Sequence, residues 1–202
     1  MPRAGVTPDR VDQIAGDVAD DGGLSALTLS SVATQLGVSV PSLYKHVDGL
    51  DGMRRRLTLK SLDELGDLVT AAAVGKAGDD ALVAVCDAYR GYAVAHPGRY
   101  AATVAAPAPN DSAHEEAAAR VLTPVLAVLA GYGLKDSQNI DAARFVRSAL
   151  HGFVSLEQSR GFGLPQDVDA SFAQLVAALD RSLSDWPSAS RMTTAPKRAR
   201  TA

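Results

Sequence analysis

A single cysteine, Cys86, rules out an intrachain disulfide in this chain of 202 residues, and thiols that stay reduced point to a cytoplasmic protein. Long apolar runs are also missing. The stretches 71–74 and 101–106 fall far short of the roughly 20 residues that cross a bilayer, and residues 1–8 lack the apolar core of a secretion signal. No membrane partner is expected. The four histidines, His46, His96, His114 and His151, are scattered and none stands near Cys86 in sequence, so no metal site is expected. No phosphate loop, nucleotide fingerprint or nucleophile elbow occurs, because the glycines do not sit in strand-to-helix turns. The expectation is a protein that is not an enzyme and carries no cofactor.

Cationic excess is absent as well: 20 Lys and Arg face 23 Asp and Glu, a formal charge of −3. That average does not suggest nucleic acid, but its distribution does. Residues 37–60 hold Lys45, Arg54, Arg55, Arg56 and Lys60 against Asp48 and Asp51, a local +3. Residues 61–186 carry −7, residues 187–202 carry +4 and residues 1–36 carry −3. A chain that is acidic overall can still present a cationic surface to DNA when its charges are segregated in this way.

Hydrophobic residues make up 47% of the chain, enough for a real core. They recur at steps of three and four, which predicts an all-α fold. Val11, Ile14, Ala15 and Val18 form the first stripe, with Thr7-Pro8 as cap and first-turn proline and Gly22-Gly23 as its stop. A short second helix carries Leu29, Val32, Ala33 and Leu36 and ends at Gly37. A third opens at Ser39-Val40-Pro41-Ser42 and is expected to span residues 40–46. A longer helix over 50–74 spaces Met53, Leu57, Ser61, Leu65 and Leu68 for one buried face. Helices are then expected over 79–95, from Arg99 onward, and over 112–132, 136–160 and 169–186, with a kink or a division at Pro124. Residues 187–202 have no apolar period and read as a disordered basic tail.

The second and third helices have the spacing of a helix-turn-helix. Ala33 falls at the crossing, where only a small side chain fits. Four residues later Gly37 can take the left-handed conformation of a sharp turn. Val38 and Leu43 point back toward Val32 and Leu36. Any small bundle needs such a turn and such crossings, so the outward residues carry the functional weight. Ser42, Tyr44, Lys45 and His46 place a hydroxyl, a phenol, an ammonium and an imidazole on one short helix, and these groups bind phosphates and base edges.

The run from Leu27-Thr28-Leu29 through Gly37-Val38-Ser39 to Leu43-Tyr44-Lys45-His46-Val47 resembles the DNA-binding domain of the tetracycline-repressor family. The resemblance implies a three-helix reader over residues 1–49 and a helical ligand-binding and dimerisation domain over 50–186, in which 50–74 is a connecting helix. It implies that Tyr44 and His46 hold phosphates, that Thr28 touches the DNA backbone, and that Ser30, Val40, Pro41, Ser42 and Lys45 face bases. Two positions depart from the family pattern. Leu50 stands where a phosphate-binding lysine often opens the fourth helix, and Val47 stands where phenylalanine is common. Phosphate anchoring is then expected to pass to Arg54 or Arg55. Leu150-His151-Gly152 also resembles the Trp-His-Gly stretch of one subgroup, with Leu150 in place of the tryptophan.

Such a regulator forms a homodimer through its last two helices and binds a small-molecule effector in the body. The residues give their own reason for the dimer. Over 136–160, Ile140, Ala143, Val146, Leu150 and Val154 occupy one face while Phe145, Ala149, Phe153 and Leu156 occupy another, and a surface helix of a monomer needs only one such stripe. A central helix buried within one subunit is the alternative. Candidate effector contacts are polar or aromatic groups within apolar helices: Tyr89, Tyr92, His96, Tyr100, Phe145, Arg147 and His151, with Arg144 and Phe153 beside them. Arg147 and His151 share a helical face and suit an acidic or hydrogen-bonding ligand in an otherwise apolar cavity. The expected function is a ligand-responsive repressor released from a palindromic double-stranded operator by its effector. The alternative is an all-α enzyme or small-molecule carrier with a structural helix-turn-helix.

Overall fold

A computed structural model of the protein describes residues 6–134 and 137–186; the basic tail expected over 187–202 lies outside the described residues. Among the described residues there are nine α-helices and no strands, and no helix is long and apolar enough to cross a membrane. Helix α1 (Pro8–Gly22) starts where Thr7-Pro8 dictates: the Thr7 hydroxyl accepts from the Arg10 N–H, and Pro8 occupies the first turn. In α2 (Leu29–Leu36), Thr28 and Ser31 form a capping box, each accepting from the other's backbone N–H at 3.0 Å. Gly37 then ends it in the left-handed region, φ 68° and ψ 33°. The remaining helices are α3 (Val40–Leu43), α4 (Gly49–Ala73), α5 (Gly78–Ala95), α6 (Pro97–Ala102), α7 (Ser112–Ala130), α8 (Ser137–Gln158) and α9 (Val168–Ser184).

Several details depart from the periodic reading. Helix α3 ends at Leu43, and residues 44–46 follow as a tight turn in which the His46 N–H reaches the Leu43 carbonyl at 2.8 Å, an i to i+3 closure of the kind that tightens helix ends. Helix α6 begins at Pro97 itself, because a proline in the first turn forfeits no helical hydrogen bond. Pro124 does not divide α7, which runs through it; α7 lies along α4, and that packing outweighs the local penalty of about 3 kcal/mol for an interior proline. On α4 the buried stripe continues through Leu65 to Val69, whereas Leu68 is 46% exposed. Steps of four from Met53 through Leu57, Ser61 and Leu65 arrive at Val69 and leave Leu68 one position off the face.

The helices enclose two cores. Val11, Val18, Leu27, Val32, Leu43, Met53 and Leu57 make the first, from α1 to α3 and the start of α4. Leu65, Val69, Leu82, Cys86, Leu129, Val146, Leu150 and Leu179 belong to the second, from the rest of α4 through α9. Burial pushes the Cys86 thiol up to about 12, so it acts as a small apolar packing group.

Helix α6 joins the two cores, with Tyr100 in the second and Ala102 in the first. Gly98 lies so close to α1 that a Cβ there would overlap the Ala19 carbonyl. The Asp20 carboxylate accepts from the Gly98 and Arg99 N–H groups at 2.9 and 2.8 Å. The Arg99 side chain, nearly buried, covers Gly16 and pairs with Asp17 at 2.7 Å. Because the obstruction at Gly98 is backbone, Gly98→Ala is expected to lower stability by about 1–3 kcal/mol while far-UV helicity before the transition stays the same. Urea denaturation checks this, and an unchanged midpoint would contradict the packing.

Candidate nucleic-acid interface and effector cavity

The reader is built by α2, the turn at Gly37 and the single turn of α3. Leu43 and Val47 are buried beneath it, while Thr28, Ser30, Pro41, Lys45 and Tyr44 are exposed, the last by 60%. Val40, Ser42 and His46 are half-buried. All eight residues expected to touch DNA therefore have accessible side chains on this unit. Thr28 already has a structural task, since its hydroxyl both accepts from the Ser31 N–H and donates to the Ser31 hydroxyl. The Ser42 hydroxyl lies 3.0 Å from that of Ser39.

Three consecutive arginines on α4 have three different environments. Arg54 is exposed and has no ion pair among the described residues. Arg55 grips Asp111, the cap residue of α7, with Nε at 3.2 Å and a terminal nitrogen at 2.5 Å. Their hydrogen bonds, with the opposite charges behind them, raise the Arg55 pKa and lower that of Asp111. Of the two arginines expected to anchor phosphate, Arg55 is thus engaged inside the protein. Arg56 donates to the His46 carbonyl at 2.5 Å, to Asp12 at 2.7 Å and to the Pro8 carbonyl at 3.2 Å. It ties the turn that carries Tyr44, Lys45 and His46 to the start of α1. Residue spacing gave Arg56 no such role, because its partners are distant in sequence.

A cavity of about 370 Å³ lies among α4, α5, α7 and α8 and the segment that leaves α6. Leu62, Leu65, Val85, Leu122, Val125 and Val146 give it an apolar wall. Five alanines, Ala105, Ala106, Ala118, Ala119 and Ala143, also line it and leave space where larger side chains would fill it. Of the seven expected effector contacts, Tyr89 and Arg147 line this cavity. Tyr100 and His151 stand behind Tyr89: the two phenol oxygens are 2.9 Å apart, and the Tyr100 oxygen is 2.6 Å from His151 Nδ1.

The other three candidates lie elsewhere. The Tyr92 hydroxyl donates to Glu64 at 3.0 Å. His96 Nδ1 lies 3.1 Å from the Asp20 carboxylate and beside Arg99, so His96 belongs to the joint between α1 and α6. Phe145 is 39% exposed and packs on Trp186, with ring centroids 5.6 Å apart. Arg144 stands 3.6 Å from Asp141, and Phe153 packs with Phe162 and Phe172 beneath Arg90. Polar and aromatic groups in apolar helices thus serve joints and outer faces as well as the cavity. Among the described residues no cluster of three or more His, Cys, Asp or Glu side chains is placed to hold a metal.

A helix-turn-helix with an accessible reading turn, seated on a separately cored helical body with a cavity, is the build of a DNA-binding transcriptional regulator. Residues 82–179 match the family model described as tetracyclin repressor-like, C-terminal domain. The chain is 42% identical over 161 residues to the uncharacterized HTH-type transcriptional regulator Rv0681 of Mycobacterium tuberculosis, covering 79% of this chain and 73% of that protein. It is 29% identical over 168 residues to the uncharacterized HTH-type transcriptional regulator YobS of Bacillus subtilis, covering 83% and 87%. The solved structure of SCO7222, a TetR from Streptomyces coelicolor, superposes with a TM-score of 0.67 at 16% identity over 89% of this chain and 98% of that one. The chain belongs to the tetracycline-repressor family of transcriptional regulators.

Burial holds the phenols of Tyr89 and Tyr100 protonated above their ordinary range. A phenol whose folded pKa is raised contributes its full stability below the unfolded value of about 10 and loses it as pH rises beyond that value. Unfolding free energy is therefore expected to fall as pH climbs above about 10, and Tyr100→Phe to make that fall shallower. A series of urea titrations across pH measures both, and equal steepness in the variant would contradict the assignment.

Proposed function

We propose that this regulator is a homodimeric repressor, released from an operator of two inverted half-sites when a small molecule occupies the cavity. The observation that carries the reading is the double membership of α4: Met53 and Leu57 belong to the reader's core, and Leu62 and Leu65 to the cavity wall. A ligand that alters that wall acts on the same helix that seats the reader. It shifts the equilibrium only by binding the DNA-incompetent arrangement more tightly.

In this reading residues 1–49 are the reader and residues 50–186 the sensing and dimerising body. Tyr44 and His46 hold phosphates together with Thr28, while Ser30, Val40, Pro41, Ser42 and Lys45 meet base edges. Arg54, which has no ion pair among the described residues, adds a phosphate contact, and Arg56 is a positioning residue. The dimer forms through α8 and α9, where Ile140, Phe145 and Leu156 leave large apolar side chains exposed on α8. Two-fold symmetry then requires inverted half-sites spaced by the separation of the two readers.

Gel-shift titrations over a range of salt, using DNA upstream of the protein's own coding sequence, test the reading. Affinity is expected to fall steeply with salt. Lys45→Ala should reduce the salt slope by about one if it also neutralises a phosphate, or relax base preference with the slope kept if it reads a base. Arg56→Ala should weaken binding by about tenfold with the slope unchanged, as for the loss of a positioning hydrogen bond to a charged group. No retarded complex at low salt would overturn the reading. Phe145→Glu is expected to yield monomers in sedimentation velocity and to lose operator binding; a dimer of normal strength would move the interface elsewhere.

A further inference from the structure

Arg147 lines the apolar cavity from the middle of α8 and has no carboxylate within ion-pair distance among the described residues. One terminal nitrogen donates to the Val104 carbonyl at 3.1 Å, which leaves most of its five N–H donors for another acceptor. The Tyr89 hydroxyl lies beside it. Behind Tyr89 runs the relay of Tyr100 and His151. When His151 carries its proton on Nδ1, it donates to Tyr100 and Tyr100 donates to Tyr89, so the Tyr89 O–H is released to donate into the cavity. Burial keeps both phenols protonated, so this end of the cavity offers donors and no negative charge.

The other charged side chain at the cavity is Glu115. It stands in the first turn of α7, where the helix's own N-terminal dipole balances a carboxylate. Arg147, in mid-helix, has no equivalent balance. Both side chains are solvent-exposed, but only the positive one stands beside a phenol donor, and a guanidinium fork with such a donor suits the two oxygens of a carboxylate.

Resting on the reading of this cavity as the effector site, we propose that the effector is an amphiphilic monocarboxylate, its carboxylate held by Arg147 and the Tyr89 hydroxyl and its apolar body lying along Leu62, Leu65, Leu122 and Val125. The cavity stands near the lower end of the range for small-molecule sites, which fits an apolar body of roughly a dozen carbons.

Three chain-matched probes, dodecanoate, dodecanol and dodecylamine, test the head group by isothermal titration calorimetry on the full chain near neutral pH. Dodecanoate is expected to bind at least about tenfold more tightly than the other two, the worth of a charge-assisted hydrogen-bond pair. Arg147→Ala should bring the acid down to the affinity of the alcohol and leave the alcohol unchanged, while Arg147→Lys should keep part of the preference. Val125→Trp should weaken all three probes by filling the cavity, with circular dichroism confirming the fold of each variant. Failure of dodecanoate to bind, equal affinity for the alcohol, preference for the amine, or acid binding that survives Arg147→Ala overturns the proposal. A separate gel shift reads operator release. Arg147-dependent binding of dodecanoate without release leaves the carboxylate site standing and removes the effector reading.

Discussion

Helix α4 cannot rotate about its own axis without uncovering one core or the other. Met53 and Leu57 are buried toward one end and Leu65 and Val69 toward the other, and the step from Met53 to Val69 spans roughly 24 Å of α-helix. Lateral ties restrict it further: Arg56 to Asp12, Arg55 to Asp111, and α6 packed against both α1 and α4. A helix so held transmits displacement as a unit. In the proposed reading its movements are small tilts that keep both cores covered, so that a change at Leu62 and Leu65 reaches the turn beyond Met53.

The charge distribution acquires a different meaning once the partners are known. The +3 over residues 37–60 counts Arg55 and Arg56, yet their carboxylate partners, Asp111 and Asp12, come from outside that segment. Lys45, Arg54 and Lys60 remain against Asp48 and Asp51. That stretch is therefore only weakly cationic in itself, and in the proposed reading the placement of Tyr44, Lys45 and His46 matters more than bulk attraction. In the proposed dimer two readers double the phosphate contacts, which is where a weakly charged surface gains most.

The reader was legible because each of its signals is a backbone requirement. Gly37 supplies a left-handed turn, and Ala33 is buried among the residues of the first core. The three arginines were not separable by sequence, because adjacent residues on a helix point about 100° apart and the carboxylates that hold Arg55 and Arg56 lie 56 and 44 positions away. The cavity was legible only in part, for a different reason. A search for polar groups finds Tyr89 and Arg147, but it also collects Tyr92, His96 and Phe145, whose partners lie in a joint or on an outer face. Space itself is announced by small residues, and Ala105, Ala106, Ala118 and Ala119 were the better signal.

The seam between α1 and α6 bears on modularity. On one side stand Gly16, Asp17, Ala19 and Asp20, and on the other His96, Gly98 and Arg99. Each half is shaped to the other, with a glycine under the guanidinium and a glycine under the carbonyl. A reader of this type is consequently not a cassette that can be cut at α4 and grafted to any helical body. A working chimera has to inherit those α1 positions together with the body they fit, so the two ends are constrained to change jointly along one face of the first helix.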